Sequence, residues 1–254
     1  MKKKVTLLLA AILIIAALPG CRHNDPNIHS LNGNGSGNVT DVQIGEIIQF
    51  GGTNWLVLDI CETTNHAKIL RERVILNQPY HHTFEAVTWE TSSSRAWLNY
   101  DFLNSFSEAD RERIRETYVI NNDNPWTWSS WGWHQDHTPG GNNIRDRIFL
   151  LSIEEVAEYF GGSELLELGR EENNRDGSIT GLYPWGIWEN NEISNARIAL
   201  NEAGSASWWW LRSPGYSGIH AAYVYGDGYV SLDGDYVSAE SGGVRPALWL
   251  NLES

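Results

Sequence analysis

Cysteine is scarce in this chain: two, Cys21 and Cys61, in 254 residues. That excludes the disulfide framework that staples small secreted domains. Cations are also few, with 18 Lys and Arg against 32 Asp and Glu and a net charge of −14. A nucleic-acid partner needs a basic footprint, so that class is excluded. Attraction to an anionic lipid surface by charge is disfavoured for the same reason. There is no Gly-x-Ser-x-Gly elbow, no phosphate-binding glycine loop and no internal repeat of fixed period. The apolar run over residues 5–18 is too short to span a bilayer.

That run follows Lys2, Lys3 and Lys4 and ends in Leu18-Pro19-Gly20-Cys21. The pattern resembles the bacterial lipoprotein cleavage box. The resemblance implies a signal peptide over residues 1–20 and a lipidated Cys21 at the mature N-terminus. Each buried methylene of the acyl chains contributes about 0.8 kcal/mol, so several chains would hold firmly. Residue 22 is Arg, so the inner-membrane retention signal is not evident. Residues 1–20 carry three lysines and no acid; without them 15 cations face 32 acids, for a net −17. Residues 21–40 are rich in Asn, Gly and Ser and read as a flexible tether, with His23 and His29 solvated. Residues 41–254 are long enough for one sizeable core. With Cys21 lipidated, Cys61 is left as a lone thiol, expected to be buried and inert in the apolar strand from Trp55.

Residues 47–50 and 55–60 are apolar runs around Gly51-Gly52-Thr53-Asn54, a hairpin signal. A third strand is expected over 67–75. Ser92 to Ser94 offer an N-cap for a helix carrying Trp97, Leu98, Phe102 and Leu103. Ser107 opens a second helix to about Thr117. Residues 148–151 read as a strand, and Ser152-Ile-Glu-Glu155 as a capping box whose helix ends at Gly161-Gly162. From there to Trp208 the chain reads as loops. The order of elements fits an α+β domain with short antiparallel sheets, two or three helices and long loops.

From Ala222 to Leu232 the even positions are apolar or glycine, and the odd ones are Tyr223, Tyr225, Asp227, Tyr229 and Ser231. This is period-two alternation broken by a turn at Gly226-Asp227-Gly228. Asp233-Gly234 reads as a second hairpin turn, with Asp235 and Tyr236 beyond it. Tyr gives large contact area at low entropic cost, and Ser and Gly adapt to varied partners. The expected binding residues are Tyr216, His220, Tyr223, Tyr225, Asp227, Tyr229, Ser231, Asp233, Asp235 and Tyr236. Trp209, Trp210, Arg212 and Arg245 are expected to be structural brackets, since a five-donor guanidinium suits tying loop carbonyls together.

Five motifs carry a resemblance: Trp55-Leu-Val-Leu, Ser94-Arg-Ala-Trp-Leu-Asn99, Asp146-Arg-Ile-Phe-Leu-Leu-Ser152, Trp209-Trp-Leu-Arg-Ser-Pro-Gly215 and Gly243-Val-Arg-Pro-Ala-Leu248. Residues 42–252 resemble a family of uncharacterised bacterial domains common in anaerobe lipoproteins. The last two motifs are also similar to the C-type-lectin-like fold of formylglycine-generating-enzyme relatives. That resemblance implies a fold rather than an activity. Members of the broader fold group include targets of diversity-generating retroelements, and residues 216–241 are similar in composition to their variable regions.

Formylglycine generation needs redox or copper-binding cysteines, which Cys61 alone cannot supply. A glycosidase needs two facing carboxylates about 5–10 Å apart, and no motif singles out a pair. His134-Gln-Asp-His137 has metal-like spacing but no evident third ligand. The 172–183 stretch partly mimics a calcium loop, yet Tyr183 stands where Glu is needed. Asp227, Asp233 and Asp235 are the candidates for gathering calcium, although the Glu-Pro-Asn and Trp-Asn-Asp signatures of calcium-dependent sugar binding are absent. No cofactor is expected. Thirteen tryptophans are unusual; Trp126, Trp128, Trp131 and Trp133 crowd one loop and Trp185 and Trp188 another. Each is expected to pack the domain or to stack on sugar. The expectation is a lipid-anchored, outward-facing envelope protein that binds a glycan or a protein. An envelope carbohydrate-active enzyme and a structural envelope protein are the alternatives.

Overall fold

A computed structural model describes residues 42–126, 137–170, 182–183, 186–187 and 192–253. The expected signal peptide and tether, Cys21, Trp128, Trp131, Trp133, His134, Trp185, Trp188 and the 172–177 stretch lie outside the described residues.

Strands β1 (Ile47–Phe50) and β2 (Thr53–Cys61) form the expected hairpin. Gly51 and Gly52 turn it with φ of 57° and 73°, where glycine is favoured and the turn matches strand twist. β3 (His66–Arg71) pairs with β2, and the short β4 (Leu76–Asn77) follows. The Ser92 hydroxyl accepts from the Arg95 amide at 3.1 Å and caps α1 (Ser93–Trp97), which runs on into a π-helical turn over Leu98–Phe102. α2 (Glu108–Arg113) is capped by Ser107 but stops well short of Thr117. The reason is tertiary: Ile114–Arg115, β5, pairs with the last strand and buries Ile114. That burial outweighs one more turn of exposed helix.

β6 (Thr117–Val119) pairs with β7 (Ile144–Asp146), and β8 (Ile148–Phe149) lies where a strand was expected. α3 (Ile153–Phe160) opens with both arms of the Ser152–Glu155 capping box and ends at Gly161, φ 83°. The stretch before Trp208 is more ordered than its sequence suggested. It holds α4 (Ser163–Arg170), β9 (Leu182–Tyr183), β10 (Gly186–Ile187), α5 (Glu192–Arg197), β11 (Ala199–Leu200) and β12 (Ala206–Ser207). Five α-helices therefore stand among the described residues, where two or three were expected. The chain closes with β13 (Trp209–Pro214), β14 (His220–Val224), β15 (Val230–Tyr236), β16 (Gly243–Val244) and β17 (Ala247–Asn251).

Two sheets organise the α+β fold. In the first, β17 is central: β3 pairs along one edge, while β8 and β5 share the other. The second runs β4-β16-β13-β14-β15-β10-β9, antiparallel except for β13 beside β16. Of the places where the chain crosses between the two sheets, residues 72–75 and Arg245-Pro246 lie side by side. The Arg71 amide donates to the Pro246 carbonyl at 2.8 Å and the Ile75 amide to Val244 at 3.0 Å. Among the described residues, Trp55, Trp89, Trp209 and Trp210 are fully buried in the core, and Trp249 is nearly so. Trp126 is buried too, its indole N–H donating to the Leu166 carbonyl at 2.9 Å. Among the described residues, no helix is long and apolar enough to cross a membrane.

Cys61 is buried on β2, and the Thr64 hydroxyl donates to its sulfur at 2.8 Å. The expectation of an unpaired thiol is corrected, because Cys61 is disulfide-bonded.

Candidate functional site

The β14–β15 hairpin builds the candidate face. Ala222, Val224, Val230 and Leu232 are buried against the core, as their alternation requires. The turn at residues 225–229 closes with the Tyr225 amide donating to the Tyr229 carbonyl at 2.7 Å, and the Asp227 carboxylate accepts from the Tyr229 amide at 3.1 Å. The expected second turn at Asp233-Gly234 is instead a bulge inside β15. Tyr223 pairs with Ser231 and Ala221 with Asp235, so two steps along β14 face four along β15. Gly234 adopts φ 77°, and its amide donates to the Ser231 hydroxyl at 3.1 Å. Asp233 is a turn residue by type, but the strand continues because β14 pairs on both sides of it.

Two aromatic clusters result. In one, His220 stacks on Tyr236 with centroids 4.7 Å apart, Tyr216 meets His220 edge-on at 5.9 Å, and Phe84 meets Tyr236 edge-on at 5.1 Å. The Ser217 hydroxyl lies 2.9 Å from His220 Nδ1 and fixes the ring. In the other, Tyr223 packs on Trp208 at 5.0 Å and on Tyr225 at 5.3 Å, and Trp208 leads down to the buried Trp210 at 4.7 Å. Asp235 is a charged neighbour of both His220 and Tyr223 and so links the clusters.

Tyr225, Asp227 and Tyr236 are exposed; Tyr216, His220, Tyr223, Tyr229, Asp233 and Asp235 are half-buried. Ser231 is buried and supports the bulge, so it does not line the surface as expected. Phe84, 61 % exposed, joins the face from the loop after β4 and was not foreseen. Its only sequence signal is an apolar ring among His81, His82, Thr83 and Glu85.

Burial sets the electrostatics here. It raises the Tyr229 hydroxyl and lowers His220, and it pushes Tyr223 up to about 12. It also pushes Asp233 up to about 7, and Asp233 Oδ1 is buried without a hydrogen-bond partner among the described residues. Asp227, Asp233 and Asp235 do not gather: among the described residues no group of three His, Cys, Asp or Glu is placed to hold a metal ion. His137 pairs with Asp123 at 3.4 Å.

The bracket residues tie the motifs together. Trp209 and Trp210 donate their indole N–H groups to the carbonyls of Arg197 and Gln78, at 3.1 and 3.0 Å. Arg212 donates to the carbonyls of Ile120 and Leu150, at 3.0 and 2.8 Å, and to the Glu155 carboxylate. Arg245 lies 4.9 Å over the Trp209 ring and donates to the carbonyls of Arg71 and Glu72, at 2.9 and 3.3 Å. Arg95 and the Trp89 indole both reach Asp146, at 2.7 and 2.8 Å, joining two further motifs.

A concavity of about 230 Å³ lies beside α3, lined by Asp59, Lys68, Tyr118, Glu158, Tyr159 and Trp249 among others. Its floor is internally paired: Lys68 contacts Glu155 at 2.9 Å and lies 5.1 Å and 5.3 Å over the Tyr159 and Trp249 rings.

No curated protein and no solved structure matches the chain. The family model described as "Domain of unknown function (DUF6273)" matches residues 64–252. That span covers well over half of the chain, from the turn before β3 to the end of β17, and the chain therefore belongs to the DUF6273 family.

Proposed function

We propose that this is a lipid-anchored binding protein of the bacterial cell envelope, facing outside the cytoplasm, with a C-type-lectin-like domain. Recognition is without chemistry, through the β14–β15 face and the Phe84 loop, and the ligand is a glycan or a protein. One observation carries the reading. Of the seven large hydrophobic side chains exposed among the described residues, Phe84, Tyr225 and Tyr236 lie on this face, and each touches another ring of the two clusters. Exposed aromatics that pack on one another mark interaction surfaces, whereas single ones are ordinary. Variation of residues 216–241 among sibling loci is part of this proposal, and identical codons throughout would count against that part.

The test uses the full-length chain in mild detergent on a broad glycan array, in calcium and in chelator. Tyr223 and Tyr229 are half-buried, so replacing them perturbs packing as well as contact. The triple variant Phe84→Ala, Tyr225→Ala, Tyr236→Ala removes exposed rings alone. Saturable binding lost in that variant, with an unchanged unfolding transition, supports a lectin-like receptor, and the calcium comparison shows any metal dependence. Binding retained by the variant would sink the assignment of the face.

An enzyme reading has one observation on its side, the Asp233 carboxyl pushed up to about 7, a value suited to a general acid. Against it, Asp233 Oδ1 is sealed from solvent, which leaves only Oδ2 of this half-buried carboxyl for proton transfer. Turnover of any array glycan that stops in Asp233→Asn would favour this reading.

A further inference from the structure

We infer that the occupant of the β14–β15 face is a protein segment presenting Lys or Arg side chains. This rests on the binding-face reading and names the partner's chemistry. Between Arg212 and Arg245 the sequence has no Lys or Arg, but it has Asp227, Asp233, Asp235 and Glu240. The Phe84 loop adds Glu85, 64 % exposed at its side chain. Among the described residues, the ionisable acids beside His220, Tyr223 and Tyr229 are Asp227, Asp235 and Asp233, the last raised by burial. The one cation seen to touch the hairpin among the described residues is Arg197. It is fully buried beneath the turn, with Nη1 donating to the Gly228 carbonyl at 3.5 Å.

Elsewhere the fold supplies cations to its own rings: Arg113 to Phe50 at 5.6 Å, Lys68 to Tyr159 at 5.1 Å and Arg245 to Trp209 at 4.9 Å. Among the described residues, no Lys or Arg lies over Phe84, Tyr225 or Tyr236. Their ring contacts are to other aromatics, and Glu85, Asp227 and Asp235 stand within two residues of them in the chain. A ring face and a carboxylate both attract positive charge, and a guanidinium satisfies the two at once by stacking and forking. A neutral glycan would use the rings and gain nothing from the acids. An acidic glycan would be repelled.

Binding of three fluorescent probes to the full-length chain in mild detergent tests this. They are a short Arg/Gly/Ser peptide, the same peptide with citrulline for arginine, and cellohexaose. The variants are Asp227→Asn/Asp235→Asn and a control with the same charge change, Glu62→Gln/Glu112→Gln, at exposed positions on other elements. Each Asn keeps the carbonyl oxygen that accepts the local amide bond. The arginine peptide is expected to bind, its citrulline twin and the face variant to be weaker by about tenfold, and the control to change by less than about twofold. High salt should weaken binding. Three results would each overturn the inference: equal binding of the citrulline twin, equal loss in the control, or no binding of the arginine peptide. Binding of cellohexaose or an array glycan through Phe84 and Tyr236 would then leave the binding face standing with a neutral occupant. Blank results throughout would remove both.

Discussion

Lys68 Nζ lies 2.9 Å from one oxygen of Glu155, and Arg212 holds the other oxygen of the same carboxylate. The three residues come from β3, α3 and β13, so one carboxylate joins both sheets to a helix. Glu155 also accepts from the Ser152 amide at 2.9 Å and so completes the helix cap. Burial alone would raise its pKa, but Arg212 and Lys68 outweigh burial and hold it down at about 2. Because the folded value is below the unfolded value of 4.5, the contribution is present above pH 4.5 and is lost as pH falls toward 2. The shift corresponds to about 3 kcal/mol. Glu155→Gln should lower unfolding stability by about 3–5 kcal/mol at neutral pH by leaving two buried cations uncompensated. It should also flatten the acid limb. Urea titrations from pH 2 to 7 would check both; an unchanged acid limb would refute the assignment.

Arg245 predicts a different kind of loss. Its guanidinium spans the two adjacent crossings between the sheets, and burial, only partly offset by Glu72, depresses its pKa to about 10. Nη1 has no hydrogen-bond partner among the described residues, so the residue is retained for shape and reach rather than full satisfaction. Lysine keeps the charge but loses the planar fork and its stacking on Trp209. Arg245→Lys should cost about 2 kcal/mol of unfolding stability. Thermal and urea unfolding would show it, with far-ultraviolet dichroism unchanged at low temperature.

The elements readable from sequence are those whose cause is local. Gly51-Gly52 needs only its own φ values, the Ser152–Glu155 cap spans one turn, and the alternation from Ala222 to Leu232 reports its own burial. What stayed hidden depends on a distant partner. α2 ends where β17 captures Ile114, and Asp233-Gly234 becomes a bulge because β14 pairs on both sides of it. Phe84 reaches Tyr236 across most of the domain's sequence, and no spacing rule connects them. Much of the expected face was legible as residue type, but its division into two clusters follows from the bulge.

Asp233 gives a pH prediction of opposite sign to Glu155. Burial raises its folded value to about 7 from 3.8. The neutral form is favoured in the folded state, so the contribution of this one group is greatest below pH 3.8 and is lost as pH rises through 7. Asp233→Asn should therefore stabilise the chain at pH 8 by on the order of 1 kcal/mol, a value discounted for partial exposure, and make little difference at pH 4. Differential scanning fluorimetry across that range would check it. A gain that does not depend on pH would mean the carboxyl is not the cause.

The two cysteines allow a decisive measurement on the proposed anchor. Cys61 is disulfide-bonded, and the chain's other cysteine is Cys21. A sulfur in a thioether to lipid cannot also form a disulfide, so a lipidated Cys21 and a disulfide to Cys61 cannot coexist in one molecule. Cys61 should react with a maleimide only after reduction. Intact mass of the chain purified from membranes should show removal of residues 1–20 and addition of acyl mass. Cys21→Ser should abolish lipid addition and release the protein from the membrane fraction. A mature chain with no acyl mass, its cysteines alkylated only after reduction, would overturn the anchor.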